Sequence, residues 1–169
     1  LVRQGKRPIT FGALLGDLPP ASQFDKPSTS PFLRNWKRVR DRGWIVPFLR
    51  APFDAGRGEL VWLDADRRAG RTTLYRADAL DASPEIPDGV IQLTREGLQA
   101  NPPDILFLSL EMLHRELGNP LWARTFGVSS EEKPRLFLFD EVHNYSGLSG
   151  AQAPWIIARW RQAARLSGL

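Results

Sequence analysis

The chain has 169 residues, with 23 Lys+Arg against 19 Asp+Glu, a formal net charge of +4 and 42% hydrophobic residues. That is one domain's worth of chain with enough apolar residues for a packed core, which excludes global disorder, collagen-like repeats and solvating tails. There is no cysteine, and His114 and His143 are the two histidines, so disulfide frameworks, thiolate nucleophiles and zinc ribbons are excluded and zinc chemistry is not expected.

The chain opens on Leu1-Val2-Arg3-Gln4-Gly5-Lys6-Arg7, which lacks the apolar stretch of a signal peptide, and no apolar run approaches the roughly 20 residues that span a bilayer. The sequence therefore reads as a soluble, cytoplasmic protein with no membrane partner. It does not begin with Met, which suggests a piece of a longer protein. The basic balance rests on 19 Arg and 4 Lys, a weak pointer to nucleic acid that a GC-rich genome would also produce.

In chain order, Ile9 to Leu15 is β-branched and apolar and is closed by Gly16-Asp17 and Pro19-Pro20, the pattern of a buried strand. Residues 21–31 form a Ser/Pro loop. Trp44 to Leu49 and Glu59 to Leu63 flank a turn-forming Asp54 to Gly58 and predict a hairpin, with Pro47 consigning the first strand to an edge. Asp66 to Arg71 reads as a charged loop, as does Ser83 to Gly89. Thr94 has the position of an N-cap for a short helix that Asn101-Pro102-Pro103 would stop. Asp104 to Ser109 is a continuous apolar run suited to a strand covered on both faces. Leu110, Leu113 and Leu117 then recur at helical spacing before Gly118. Arg135 to Phe139 predicts a second buried strand running into Asp140-Glu141-Val142-His143. Strand, helix, strand, helix in that order implies a parallel α/β sheet with right-handed crossovers. The last helix is expected from near Ala153 to Leu166, because Pro154 lacks the N–H that an earlier start would need.

Two adjacent carboxylates at the carboxyl end of a buried parallel strand stand where open α/β sheets bind ligands. Successive strand residues point opposite ways, so Asp140 and Glu141 can serve different partners, one holding a hydrated Mg²⁺ and the other orienting and deprotonating a water. Taken alone, the same pattern also suits the start of a solvated loop.

Leu136-Phe137-Leu138-Phe139-Asp140-Glu141-Val142-His143 resembles the DEVH form of the Walker B motif of superfamily 2 helicases. Upstream, Pro103-Asp104-Ile105-Leu106-Phe107-Leu108-Ser109-Leu110-Glu111-Met112-Leu113 resembles the P-D-I-L-x-T-(T/P)-x-E-M-L segment of Lhr- and MrfA-like large DNA helicases. Tyr145-Ser146-Gly147 with Gly150, and Gly12 to Gly16, are similar to further elements of that group. The resemblance implies part of a RecA-like domain: a core strand in residues 1–19, an insertion carrying a hairpin in 20–87, and the core resumed in 88–169. It implies an ATP-dependent DNA helicase or translocase, with ATP and Mg²⁺ as cofactors. Its partners would be DNA and the remainder of the polypeptide, in a repair or anti-phage setting.

Carried over by position, the resemblance assigns Asp140 to Mg²⁺ through water and Glu141 to activation of the hydrolytic water. His143 would couple the nucleotide site to neighbouring motifs. Ser109 stands where the family has Thr at a strand-to-helix junction that contacts a nucleic-acid phosphate, although it also suits a plain N-cap. Gly16 would allow close backbone approach to the nucleic acid, or is a turn glycine. Leu110 departs from the usual Thr or Pro.

No G-x-x-x-x-G-K-[ST] occurs in the chain, since Gly5-Lys6 is followed by Arg7, and no Ser-Ala-Thr motif follows the last helix. The isolated chain is therefore expected to be inactive as an ATPase. The alternative is a non-catalytic nucleic-acid- or protein-binding module with a degenerate RecA-like core. In the insertion, Arg34, Lys37, Arg38, Arg40, Arg42 and Arg50 with Trp36 and Trp44 offer a DNA-contacting surface. The reading favoured there is a solvated basic face with its tryptophans packed inward.

Overall fold

The computed structural model describes residues 7–50, 58–129 and 147–166. The described residues are mixed α/β, with two sheets among them. In chain order come β1 (Phe11–Leu14), three 3-10 turns between Ala21 and Leu33, β2 (Lys37–Val39), β3 (Gly43–Arg50) and β4 (Glu59–Leu63). Then follow α1 (Asp64–Arg68), β5 (Leu74–Arg76), β6 (Ile91–Gln92), α2 (Arg95–Ala100), β7 (Ile105–Leu108), α3 (Leu110–Glu116), a 3-10 turn at Pro120–Trp122 and α4 (Gly147–Leu166).

The parallel sheet has the order β6-β1-β7, with Phe11 beside both Ile91 and Ile105, and Leu14 beside Leu108. One face is packed. Leu14 and Leu18 meet Leu98, Met112, Leu113, Trp122, Ile156 and Trp160 from the helices and the turn after α3. Each such full burial of a large apolar side chain is worth about 1.5–3 kcal/mol.

The opposite face departs from the expectation of cover on both sides: Ile105 is 41% and Phe107 60% exposed. Their strand alternates in burial, since even positions face the helices and odd ones face away. An apolar cleft of about 550 Å³ opens on that side, lined by Phe11, Ala13, Phe48, Ile86, Val90 and Phe107 among others. The strand expected at Arg135 to Phe139 lies outside the described residues.

The antiparallel sheet has the order β2-β3-β4-β5, and all four strands fall in sequence between β1 and β6. The predicted hairpin is present as β3 and β4, with Trp44 opposite Trp62 and Ile45 opposite Val61. Pro47 is nevertheless not on an edge strand, because β2 pairs with β3 on the other side. Two features accommodate it. β2 reaches only from Gly43 to Ile45, and the β3–β4 register shifts between Ile45 and Arg50, so no ladder bond is asked of the missing N–H.

Trp44, Val46, Leu60, Trp62 and Leu74 join Phe24, Leu33 and Trp36 in one core that also takes in Ile91 and Leu93. Phe24 meets the rings of Trp36, Trp44 and Trp62 edge-on, with centroids 5.1, 5.7 and 5.3 Å away, an arrangement favoured by the ring quadrupoles.

The charged stretch expected as a loop at Asp66 to Arg71 begins instead inside α1. Asp64 and Asp66 open this helix and Arg67 and Arg68 close it, matching the helix dipole. Both aspartates are buried, and each is matched by a cation: Arg38 lies 2.7 Å from Asp64, and Arg71 Nε 2.8 Å from Asp66.

α4 also departs from expectation, beginning at Gly147 with Pro154 inside it. The proline removes the hydrogen bond to the Gly150 carbonyl, and the helix continues because Ile156, Trp160 and Ala164 anchor one face in the core. No helix among the described residues is long and apolar enough to cross a membrane.

Candidate functional site

The parallel strands β1 and β7 are brought into register at their beginnings by Asp104. Its carboxylate accepts from the Arg7 guanidinium at 2.6 and 2.7 Å, from the Thr10 backbone N–H at 2.9 Å and from Thr10 Oγ1 at 3.0 Å. The Asp104 N–H in turn donates to Thr10 Oγ1 at 2.9 Å. These donors, with Arg7 foremost, hold the Asp104 carboxyl at about 2, below its ordinary 3.8.

With the strands so aligned, Leu14 and Leu108 end side by side, and Gly16 and Ser109 follow them at the same carboxyl edge of the sheet. The fold thus brings these two predicted residues to one edge, where open α/β sheets place ligands. Ser109 is extended, at φ −81° and ψ 154°, and its Oγ accepts from the Met112 N–H at 3.2 Å, capping α3. A hydroxyl that accepts in a cap still has its own O–H to donate, so capping and a phosphate contact are compatible roles. Glu111 in the first turn opposes an anion there, and α3 has only seven residues.

Gly16 is exposed, its φ is not positive, and a Cβ built on it would meet nothing within 4 Å. Neither backbone conformation nor protein packing requires glycine at this position. The turn is instead organised by Arg95, which sequence reasoning missed. Arg95 donates to the Leu18 carbonyl at 3.0 Å and the Gly16 carbonyl at 3.5 Å, and it lies 3.6 Å from Glu116 at the end of α3. Its partners are up to 79 positions away, so no local pattern could have singled it out.

Arg38 and Arg40 belong to the other sheet. Arg38 is paired with Asp64 and stacks over Trp44, 4.8 Å from the ring centre. Arg40 and Asp41 form the turn between β2 and β3, both at positive φ (46° and 51°), a conformation more often given to Asn-Gly. The Asp81 carboxyl is held below its ordinary range chiefly by the Arg42 hydrogen bond and charge, with the charge of Arg40 a lesser cause. Trp36 and Trp44 are 5% and 6% exposed. They are core residues, so the two tryptophans of the basic segment pack inward.

Asp140, Glu141 and His143 lie outside the described residues, as does Tyr145-Ser146, while Gly147 and Gly150 fall within α4. Among the described residues no group of three or more His, Cys, Asp or Glu could hold a metal ion. Comparison with family models, with curated proteins and with solved structures finds no match for this chain.

Proposed function

We propose that the chain is the middle part of the first motor domain of an ATP-dependent DNA helicase or translocase. The observation that carries this reading is the order and spacing of two motifs, Pro103 to Leu113 and Leu136 to His143. The first of them runs as a parallel strand into a Ser-capped helix, the arrangement in which a hydroxyl and neighbouring amides can meet a phosphate. In this reading Ser109 contacts the DNA backbone, Asp140 holds Mg²⁺ through water, Glu141 deprotonates the water that attacks ATP, and His143 couples that site to the neighbouring motifs.

Purified as it stands, the chain is expected to show negligible ATPase, and robust turnover would overturn the assignment as a motor-domain fragment. In a chain extended to include a P-loop, Glu141→Gln should keep ATP binding and abolish hydrolysis; retained hydrolysis would remove Glu141 as the base. The absence of a P-loop pattern from the sequence favours one second reading, a non-catalytic binding module with a degenerate RecA-like core. Sequencing the coding region on either side distinguishes them: an upstream P-loop in frame supports the motor, and a start codon at Leu1 supports the module.

A further inference from the structure

The chain has six tryptophans. Trp36, Trp44, Trp62, Trp122 and Trp160 are all 9% exposed or less, whereas Trp155 on α4 is 54% exposed. Leaving one indole in water forfeits free energy that the other five gain by burial. Trp155 is also held in place. The Arg159 guanidinium, one helical turn on, lies 4.9 Å from its ring centre, and the His114 ring of α3 lies 5.3 Å away at 47°. Arg159 in turn reaches His114 Nδ1 at 2.9 Å. Because a guanidinium only donates, Nδ1 is the acceptor in this contact.

The helix α4 carries Arg159, Arg161 and Arg165 in its sequence and no Asp or Glu, and of these Arg159 lies at the ring. On α3, Glu116 is engaged by Arg95, Arg115 and Asn119, which leaves Glu111 as the nearby acid in sequence. An exposed ring with a guanidinium over it suits a flat, polar aromatic group joined to phosphate, because every base presents a π-face and a cation can meet its backbone. A purely apolar protein partner would gain nothing from the guanidinium and imidazole that frame the ring.

We infer that Trp155, framed by His114 and Arg159, is a stacking platform for an unpaired base of single-stranded DNA on the outer side of α3 and α4. This rests on the nucleic-acid reading above and adds to it a base-contacting site apart from Ser109 and the Walker B segment.

The test uses the chain with two probes of equal phosphate number, an oligothymidylate of about 20 nucleotides and its abasic counterpart. Trp155 dominates quenching of fluorescence by acrylamide, since the other five indoles are buried, and the oligothymidylate should shield it while the abasic strand does not. Trp155→Ala should weaken oligothymidylate binding about tenfold and leave the abasic strand unaffected, with Trp155→Phe recovering most of the loss. Undiminished binding by Trp155→Ala overturns the platform and leaves the nucleic-acid reading standing. An equal loss for both probes also overturns it, as the mark of a structural role. If the parent chain binds neither probe at low salt, both readings fall.

Discussion

Glycines in this chain divide by what surrounds them. A Cβ on Gly43 would lie 2.5 Å from the Trp62 carbonyl oxygen and 2.8 Å from Val61 Cγ1. The first obstacle is backbone of the paired strand and cannot swing aside, so Gly43→Ala should cost about 1–3 kcal/mol. Gly16→Ala should be neutral or add about 0.4–1 kcal/mol by restricting the unfolded chain. Urea denaturation of the two variants separates them, and loss of stability in Gly16→Ala would point to a backbone constraint at that turn. At Asp104 the sign of the pH effect follows from a carboxyl held at about 2 in the folded chain against an ordinary 3.8. The folded state binds its proton less readily, so the stabilisation is complete above about pH 4 and is lost as pH falls toward 2. Asp104→Asn should lower the urea midpoint near neutrality and flatten its fall over that range; parallel profiles would mean that other acids control it.

Among the elements, α4 carries an avoidable defect. Pro154 is exposed, so it contributes little packing, yet it removes one helical hydrogen bond. Pro154→Ala should therefore raise stability by about 1–3 kcal/mol, read as a higher thermal midpoint, and an unchanged midpoint would mean that the turns before Pro154 add nothing to the fold. Elements that carry their own signals are legible in the sequence. The Thr94 cap accepts from the Gly97 N–H and the Ser109 cap from Met112, and both helices start where those residues foretell. Elements whose signal is pairing are not. β5 and β6 have three and two residues, too few for a period to declare itself, and they exist because β4 and β1 lie beside them. Pro47 shows the same limit: it bars only the ladder bond its own N–H would make, and the fold meets that with a short partner strand and a shifted register. At the candidate site, Ser109 was legible as a cap and Arg95 was not, because its carbonyl partners are set by the docking of α2 against the turn after β1.

At the scale of the whole molecule, the two sheets share their interior. Phe48 packs against both principal clusters, and Ile91 of the parallel sheet, with Leu93 just after it, sits in the core of the antiparallel one. Tryptophan fluorescence and far-UV circular dichroism should therefore report one coincident unfolding transition. Phe48→Ala should lower it by about 2 kcal/mol, below the roughly 3–5 of a fully buried phenylalanine because Phe48 is partly exposed. Separate transitions would mean that the sheets fold independently. The outward side of β1 and β7 bears on how the protein behaves in a tube. Ile9, Ile105 and Phe107, 58, 41 and 60% exposed, make that side adhesive, while a net charge of +4 keeps molecules apart only as far as ions in the buffer permit. Colloidal stability should thus decline with added salt, seen as rising light scattering between about 0.05 and 0.5 M sodium chloride. Phe107→Lys should keep the solution clear, which makes it the variant of choice for concentrated samples.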